Sequence, residues 1–329
     1  MSAGIEVFIM NGVAVTLALA GVIAFQVAPA LSSNGFKVSG TTVLDRNQEP
    51  FVMRGINYAH TWYKGDAETA IPAIAATGAN VIRIVLSDGG QYTYDDAASV
   101  RRILDICKQN KLVAILEVHD ATGSDDFAKL RRAADYWISL ASTLKGLEDH
   151  VIINIANEWF GSSGQAARWA SGYASVLPSL RSAGLTHLII VDAPGWGQDA
   201  ASIAQQGRVV FEADPERNLI FSIHMYEVAA PDAATVRRHI DNSLAIGVPV
   251  IIGEFSDRQS GKPVDYKSIM QYCTERSVGW LAWSWHGNNE DTANMDLSRG
   301  ANGGLTTLGN EIIYGALGIK SQSKIPNIW

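Results

Sequence analysis

Two glutamates stand where an apolar sequence gives them no ordinary reason to be. Glu158 closes the run VIINIANE and Glu254 closes VPVIIGE. A carboxylate at the end of an apolar strand is costly unless something pairs with it. Taken singly, such a glutamate also serves to cap a helix or to meet an arginine. Two of them closing different runs, one preceded by Asn157, read better as partners across a cleft. Paired carboxylates can hydrolyse a glycosidic bond: one protonates the leaving oxygen while the other attacks or activates water.

More polar and aromatic residues close similar runs. Asn57, Tyr58 and His60 end the first, Arg83 the second, Glu117, His119 and Asp120 the third. Trp196 follows the fifth, His224 and Tyr226 end the sixth, and Trp283, Trp285 and His286 end the eighth. The runs themselves, at 51–58, 79–86, 112–119, 151–158, 188–193, 219–226, 249–255 and 279–286, are rich in Val, Ile and Leu. Amphipathic stretches alternate with them near 66–77, 95–110, 126–145, 166–183, 199–206, 232–246, 264–276 and 310–317. That alternation predicts βα units on a parallel sheet, and eight of them predict a single (β/α)8 barrel of the α/β class. Chemistry in such a barrel collects at the C-terminal ends of the strands, where these residues fall. A polar turn at 45–50 and short hairpin-like segments at 36–48 are expected to close the barrel bottom.

The composition agrees with an enzyme-sized globular body: 329 residues, 47% apolar and 18% charged, with a net charge of −7. Net acidity argues against a nucleic-acid partner, which asks for a basic patch. Cys107 and Cys273 lack any metal-ligand or redox spacing and are expected as two buried thiols. Residues 7–36 carry no charged side chain. The apolar stretch ends in Ala28-Pro29-Ala30, a small-x-small pattern suited to cleavage, so residues 1–30 are expected as a signal peptide for secretion. A retained membrane anchor is the alternative, since 7–30 is long enough to span a bilayer. Residues 31–329 are then the catalytic domain.

The motifs in order carry a resemblance. Arg54-Gly55-Ile56-Asn57, Val81-Ile82-Arg83, Asn157-Glu158-Trp159, His224-Met225-Tyr226, Gly253-Glu254-Phe255 and Trp283-Ser284-Trp285 look like glycoside hydrolase family 5. The longer strings GANVIRIVLSDGGQ, LEVHDATG, VIINIANEWFG and LAWSWHGN resemble the bacterial endo-β-1,4-mannanases of that family. The resemblance implies Glu158 as general acid/base and Glu254 as nucleophile of a retaining double displacement. It implies Arg83 and Tyr226 as partners of Glu254, and Asn157 as a contact to the sugar 2-hydroxyl. His119 and His224 would bind sugar hydroxyls or orient the carboxylates, with His60 in support. Trp283 would be a sugar platform, with Trp196 and Trp62 further along, whereas Trp137, Trp169 and Trp280 are expected in the core. The chain departs from the family pattern at Tyr58, where a His-Gly-His pattern is usual, and at Ser256-Asp257-Arg258-Gln259 after the nucleophile.

The implied partner is a polysaccharide, β-mannan, acted on by a monomer, with no cofactor and no metal. An endo-β-1,4-glucanase of the same family shares every catalytic residue named, and a non-catalytic sugar-binding barrel would usually lack one carboxylate. Gly195-Trp196-Gly197-Gln198-Asp199-Ala200 fits G-x-G-x-x-A, but Trp196 would crowd a pyrophosphate. A zinc barrel wants closely spaced early histidines, and Tyr58 stands where His60 would need its partner.

Overall fold

The computed structural model describes residues 35–329; the expected leader at 1–30 lies outside them. Eight parallel strands close into a barrel. They are β1 (Arg54–Tyr58), β2 (Val81–Leu86), β3 (Val113–Val118), β4 (Val151–Asn154), β5 (Ile189–Asp192), β6 (Leu219–Met225), β7 (Val250–Phe255) and β8 (Gly279–Ala282). Each is hydrogen-bonded to its neighbours in sequence, and β8 closes against β1, where Trp280 pairs with Arg54.

One helix follows each strand: α1 (Ala67–Ala76), α2 (Ala97–Gln109), α3 (Phe127–Ser139), α4 (Ala166–Ser182), α5 (Ala200–Ala213), α6 (Ala233–Leu244), α7 (Tyr266–Arg276) and α8 (Thr307–Tyr314). Aspartates start most of them. Asp96, Asp126, Asp199, Asp232 and Asp265 accept a backbone N–H from the first turn of α2, α3, α5, α6 and α7, satisfying donors that a helix cannot satisfy itself. The stretch expected as one helix at 126–145 breaks at Leu140 into α3 and a separate turn, Ala141–Leu144.

Strand side chains alternate in direction, so every second residue of a barrel strand faces inward. Low in the barrel these are apolar: Val81, Val113, Ile152, Ile190, Ile220, Ile251 and Leu281 form one cluster. The hairpin Lys37–Ser39 with Thr42–Leu44 lies at that end, with Phe36 stacked on Phe51 at 4.8 Å. Two residues further along the same strands the inward positions turn polar at Arg83, Asn154, Asp192 and Ser222, and on β3, four beyond Val113, at Glu117. The charged floor of the upper barrel therefore rests on an apolar plug. Trp137, Trp169 and Trp280 are fully buried, as are Cys107 and Cys273.

Two strand ends differ from expectation. β4 stops at Asn154, so Asn157 and Glu158 stand in the loop beyond it. β8 stops at Ala282, leaving Trp283, Trp285 and His286 on the following loop. The residues stay at the C-terminal face, tied to the neighbouring strands by single backbone bonds: Asn157 N–H to Val118 O, Trp283 N–H to Phe255 O and Trp285 N–H to Asn57 O. Among the described residues no helix is long and apolar enough to cross a membrane.

Candidate active site

Glu158 reaches the cleft through an unusual backbone. Its φ is +43°, in the left-handed region, and Phe160 follows at +78°. Non-glycine residues held there cost of order 1–3 kcal/mol and need support from their surroundings. The end of β3 and the loop after it supply it. Asn157 N–H donates to Val118 O at 2.8 Å, Phe160 N–H to Ser124 O at 3.0 Å, and Glu158 O accepts from Gly123 N–H at 3.1 Å.

Glu254 arrives on β7 opposite His224 of β6. The β6–β7 register shifts between Ile223 and His224, so that His224 pairs with Glu254. Such a bulge re-aims side chains. One carboxylate oxygen of Glu158, one of Glu254 and a ring nitrogen of His224 all lie within 4.8 Å of one another.

Arg83 lies beneath, fully buried, with each of its three nitrogens engaged. Nη1 donates to Glu254 Oε1 at 2.8 Å and to Asn57 Oδ1 at 2.9 Å. Nη2 donates to Asn157 Oδ1 at 2.6 Å, and Nε to Asn154 Oδ1 at 2.9 Å. Glu117 and Asp192 stand 3.8 and 3.7 Å away. Burial opposes the guanidinium charge, but Glu117, Glu254, Asp192 and Glu158 outweigh it and raise its pKa further. Tyr226 O–H donates to Glu254 Oε2 at 2.8 Å. Glu254 is thus held by a permanent cation on one oxygen and a phenol on the other.

His224 is buried with Nδ1 2.7 Å from Glu158 Oε1 and 3.5 Å from Glu254 Oε2. Burial works against its protonation, yet Glu254, Asp192 and Glu158 prevail and raise its pKa to about 9. His119 meets Glu117 Oε1 at 2.9 Å; burial lowers its pKa, and Glu117 and Glu254 more than reverse that. The Glu158, His224 and Glu254 trio has the donor types of a metal site, and its spacing alone would admit an ion. Within it His224 meets Glu158 at 2.7 Å and Glu254 at 3.5 Å, and Arg83 pairs with Glu254 at 2.8 Å, so charge pairing holds the trio together.

Above this floor runs a cleft of about 560 Å³ lined by Glu158, Glu254, Tyr226, Trp62, Trp196 and Trp283 among others. A second cavity of about 820 Å³ shares Glu158, Trp196, Tyr226 and Gln259 with it, so open space continues across the barrel mouth on both sides of the carboxylates. His119 stacks on Trp283 with ring centroids 5.9 Å apart and meets the Trp62 edge at 5.0 Å. Trp283 Nε1–H donates to Asn288 Oδ1 at 3.0 Å. Trp196 is 53% exposed and sits in three consecutive left-handed residues, Gly195, Trp196 and Gly197. The glycine-rich stretch that mimics a nucleotide loop thus aims an indole.

Most of the residues singled out in the sequence converge here, with one correction. His60 does not line the cleft. It is buried with Nε2 3.4 Å from Asp95 and borders a separate cavity of about 330 Å³ with Lys64 and Arg102. In the 3₁₀ turn His60–Trp62 the two side chains diverge, and only Trp62 faces the carboxylates. His224 is fully covered and meets the two carboxylates, the second of the two roles expected of it. Tyr58 too is buried, donating its hydroxyl to Tyr63 O at 2.9 Å. The departing segment after Glu254 contributes Gln259 to the cleft wall.

Sequence reasoning passed over Asp192 and Asn154 as site members, and named Asn57 at the end of the first run without giving it a role. Asp192 was visible as the acid ending the apolar run LIIVDA. It accepts the backbone N–H of Glu158 at 3.0 Å.

Known proteins match this chain along most of its length. The family model described as Cellulase (glycosyl hydrolase family 5) matches residues 44–289. A mannan endo-1,4-beta-mannosidase of Salipaludibacillus agaradhaerens is 54% identical over 291 residues, covering 88% of this chain and 94% of that one. The catalytic domain of a mannanase from Streptomyces sp. SirexAA-E superposes with a TM-score of 0.85 at 38% identity, covering 95% of this chain and 99% of that one. A Thermomonospora fusca beta-mannanase solved as its mannohexaose complex gives a TM-score of 0.83 at 36% identity, over 89% of this chain and 98% of that one. With these matches joined to the barrel and its facing glutamates, the chain belongs to glycoside hydrolase family 5.

Proposed function

We propose that this enzyme cleaves β-1,4-linked mannan internally by a retaining double displacement. The observation that carries the mechanism is the approach of Glu158 and Glu254 oxygens within 4.8 Å. Retaining carboxyl pairs stand about 5–5.5 Å apart, and inverting pairs about 6.5–9.5 Å to admit a water between them. Glu254, charge-paired with Arg83, is the nucleophile that forms the glycosyl ester. Glu158, whose partner His224 can gain or lose a proton, is the acid that protonates the leaving oxygen and then the base that activates water. Asn157 sits beside both and reaches the sugar 2-hydroxyl.

Internal cleavage is supported by open space on both sides of the carboxylates. Trp62, Trp196 and Trp283 offer flat faces to the apolar C–H faces of successive sugars. Side chains perform both proton transfer and attack, so the reaction asks for no cofactor. Mannan as the substrate is supported by the names of the similar proteins. A secreted monomer suits a polymeric substrate that stays outside the cell, and the uncharged stretch at 7–36 supplies a leader for it.

Initial hydrolysis rates on linear mannan, glucomannan, galactomannan and carboxymethyl-cellulose test the substrate. The mannans are expected to be cleaved fastest, with a mixture of oligosaccharides from the start. Faster cleavage of carboxymethyl-cellulose would overturn mannan as the substrate.

A further inference from the structure

Asp192 ends β5, fully buried, between Arg83, His224 and the Glu158 backbone. Its Oδ2 accepts the Glu158 backbone N–H at 3.0 Å, and its Oδ1 accepts from Asn154 Nδ2 at 3.1 Å. The same Oδ2 lies 3.6 Å from His224 Nε2 and 3.7 Å from Arg83 Nη2. Nε2 of His224 makes no hydrogen bond, so Asp192 is the charge it faces, while Nδ1 contacts Glu158. One imidazole therefore stands between two acids, a buried one and the one that opens to the cleft.

We propose that Asp192 is a positioning residue for the catalytic proton: it seats Glu158 through its backbone N–H, and its buried charge keeps a shared proton on the His224–Glu158 pair. The proposal rests on the double-displacement reading above and deepens it.

The charges around His224 come from every side of the barrel. Glu254 on β7 and Glu158 beyond β4 are negative, Arg83 on β2 is positive, and Glu117 on β3 stands behind Arg83. Tyr226 on β6 is tied to Glu254, and the Tyr173 hydroxyl of α4 lies near enough to feel Asp192. During the reaction Glu254 loses its charge to the glycosyl ester, and Glu158 gives up and regains the proton. Asp192 is chemically untouched, so it is the acid facing His224 whose charge persists at every step. With the Nε2 proton held toward Asp192, Nδ1 is left to exchange its proton with Glu158. That proton goes to the leaving oxygen as the glycosidic bond breaks. It is replaced by one from the water whose oxygen bonds to the anomeric carbon as the ester breaks.

Asp192→Asn keeps an acceptor for the Glu158 N–H and removes the charge. The expected result is an alkaline limb of kcat/KM displaced downward by about one to two pH units, as losing an opposite charge at this distance implies. The acid limb should not move upward. A folded Asp192→Asn enzyme with the alkaline limb of the parent would overturn the proposal. ¹⁵N NMR of histidine-labelled parent enzyme decides it without substrate and without reliance on that variant, with His224→Asn identifying the resonances. Nε2 of His224 is expected to carry a proton from neutral to mildly alkaline pH. A neutral ring protonated on Nδ1 and bare at Nε2 would overturn the proposal. An enzyme inactive on mannan, in contrast, would sink the functional reading and leave the NMR result standing.

Discussion

Arg83 Nη1 stands 2.8 Å from Glu254 Oε1, whereas Glu158 Oε1 meets the His224 ring at 2.7 Å. One glutamate is bound to a cation that never titrates, the other to a partner that does. That asymmetry divides the labour between two chemically identical side chains.

Glu158→Gln should lose about 10²–10⁴ in kcat on mannan, the usual contribution of a general acid. It should form the glycosyl ester at near-parent rate from an aryl mannoside whose leaving group needs no proton. Glu254→Gln should be inactive on both substrates. Burst and steady-state kinetics on the two substrates check this, and equal losses for Glu158→Gln on both would contradict the assignment.

Arg83→Lys keeps the charge but cannot satisfy Glu254, Asn57, Asn157 and Asn154 together, because an ammonium lacks the planar fork. A fall in kcat of about 10²–10³ is expected, comparable to losing one preorganised donor. Arg83→Met should also destabilise the fold by about 3–5 kcal/mol, because it leaves buried carboxylates without their counter-charge. Activity assays and urea unfolding measure the two effects separately.

Trp196 and Trp283 should separate by kinetics. Trp196 lies where the two cavities meet and is half exposed. Its replacement by Ala should raise KM for mannan roughly 2- to 10-fold, the worth of one aromatic contact, with kcat little changed. Trp283 stacks on His119 above the carboxylates, so its loss should lower kcat as well. Michaelis–Menten analysis on long and short manno-oligosaccharides distinguishes them.

Stability should depend on pH through two buried histidines of opposite sense. Burial depresses the His187 pKa to about 4, below its unfolded value, so the folded state resists protonation and stability rises as pH climbs from about 4 to 6.5. His224 is raised to about 9, so its contribution is complete below about 6.5 and is lost as pH rises toward 9. Unfolding midpoints in urea should therefore peak near neutrality. His187→Gln should flatten the acid side alone; an unchanged acid slope would contradict the sign assigned to His187.

The barrel was legible because hydrophobic periodicity reports strands and helices directly, and a glutamate ending an apolar run is conspicuous against it. Glu158 and Glu254 stood out on that signal, whereas Arg83 and Tyr226, seen only as polar run ends, took their place beside Glu254 from the family resemblance. What escaped depends on backbone geometry that composition does not encode. The left-handed φ of Glu158 and the register shift before His224 arise from loop and neighbour-strand contacts. His60 looked like a cleft residue because it follows β1, yet one 3₁₀ turn sends it to Asp95 and sends Trp62 outward. Asp192 was in view near the end of LIIVDA but was passed over, since an acid just before Ala193-Pro194 also reads as an ordinary loop start.

The central claim is that two glutamates within 4.8 Å of each other act by successive displacements at one carbon. Proton NMR of the first products released from a manno-oligosaccharide tests this most directly, before mutarotation mixes the anomers. The β-anomer should appear first and the α-anomer only later; an α-anomer released first would contradict retention.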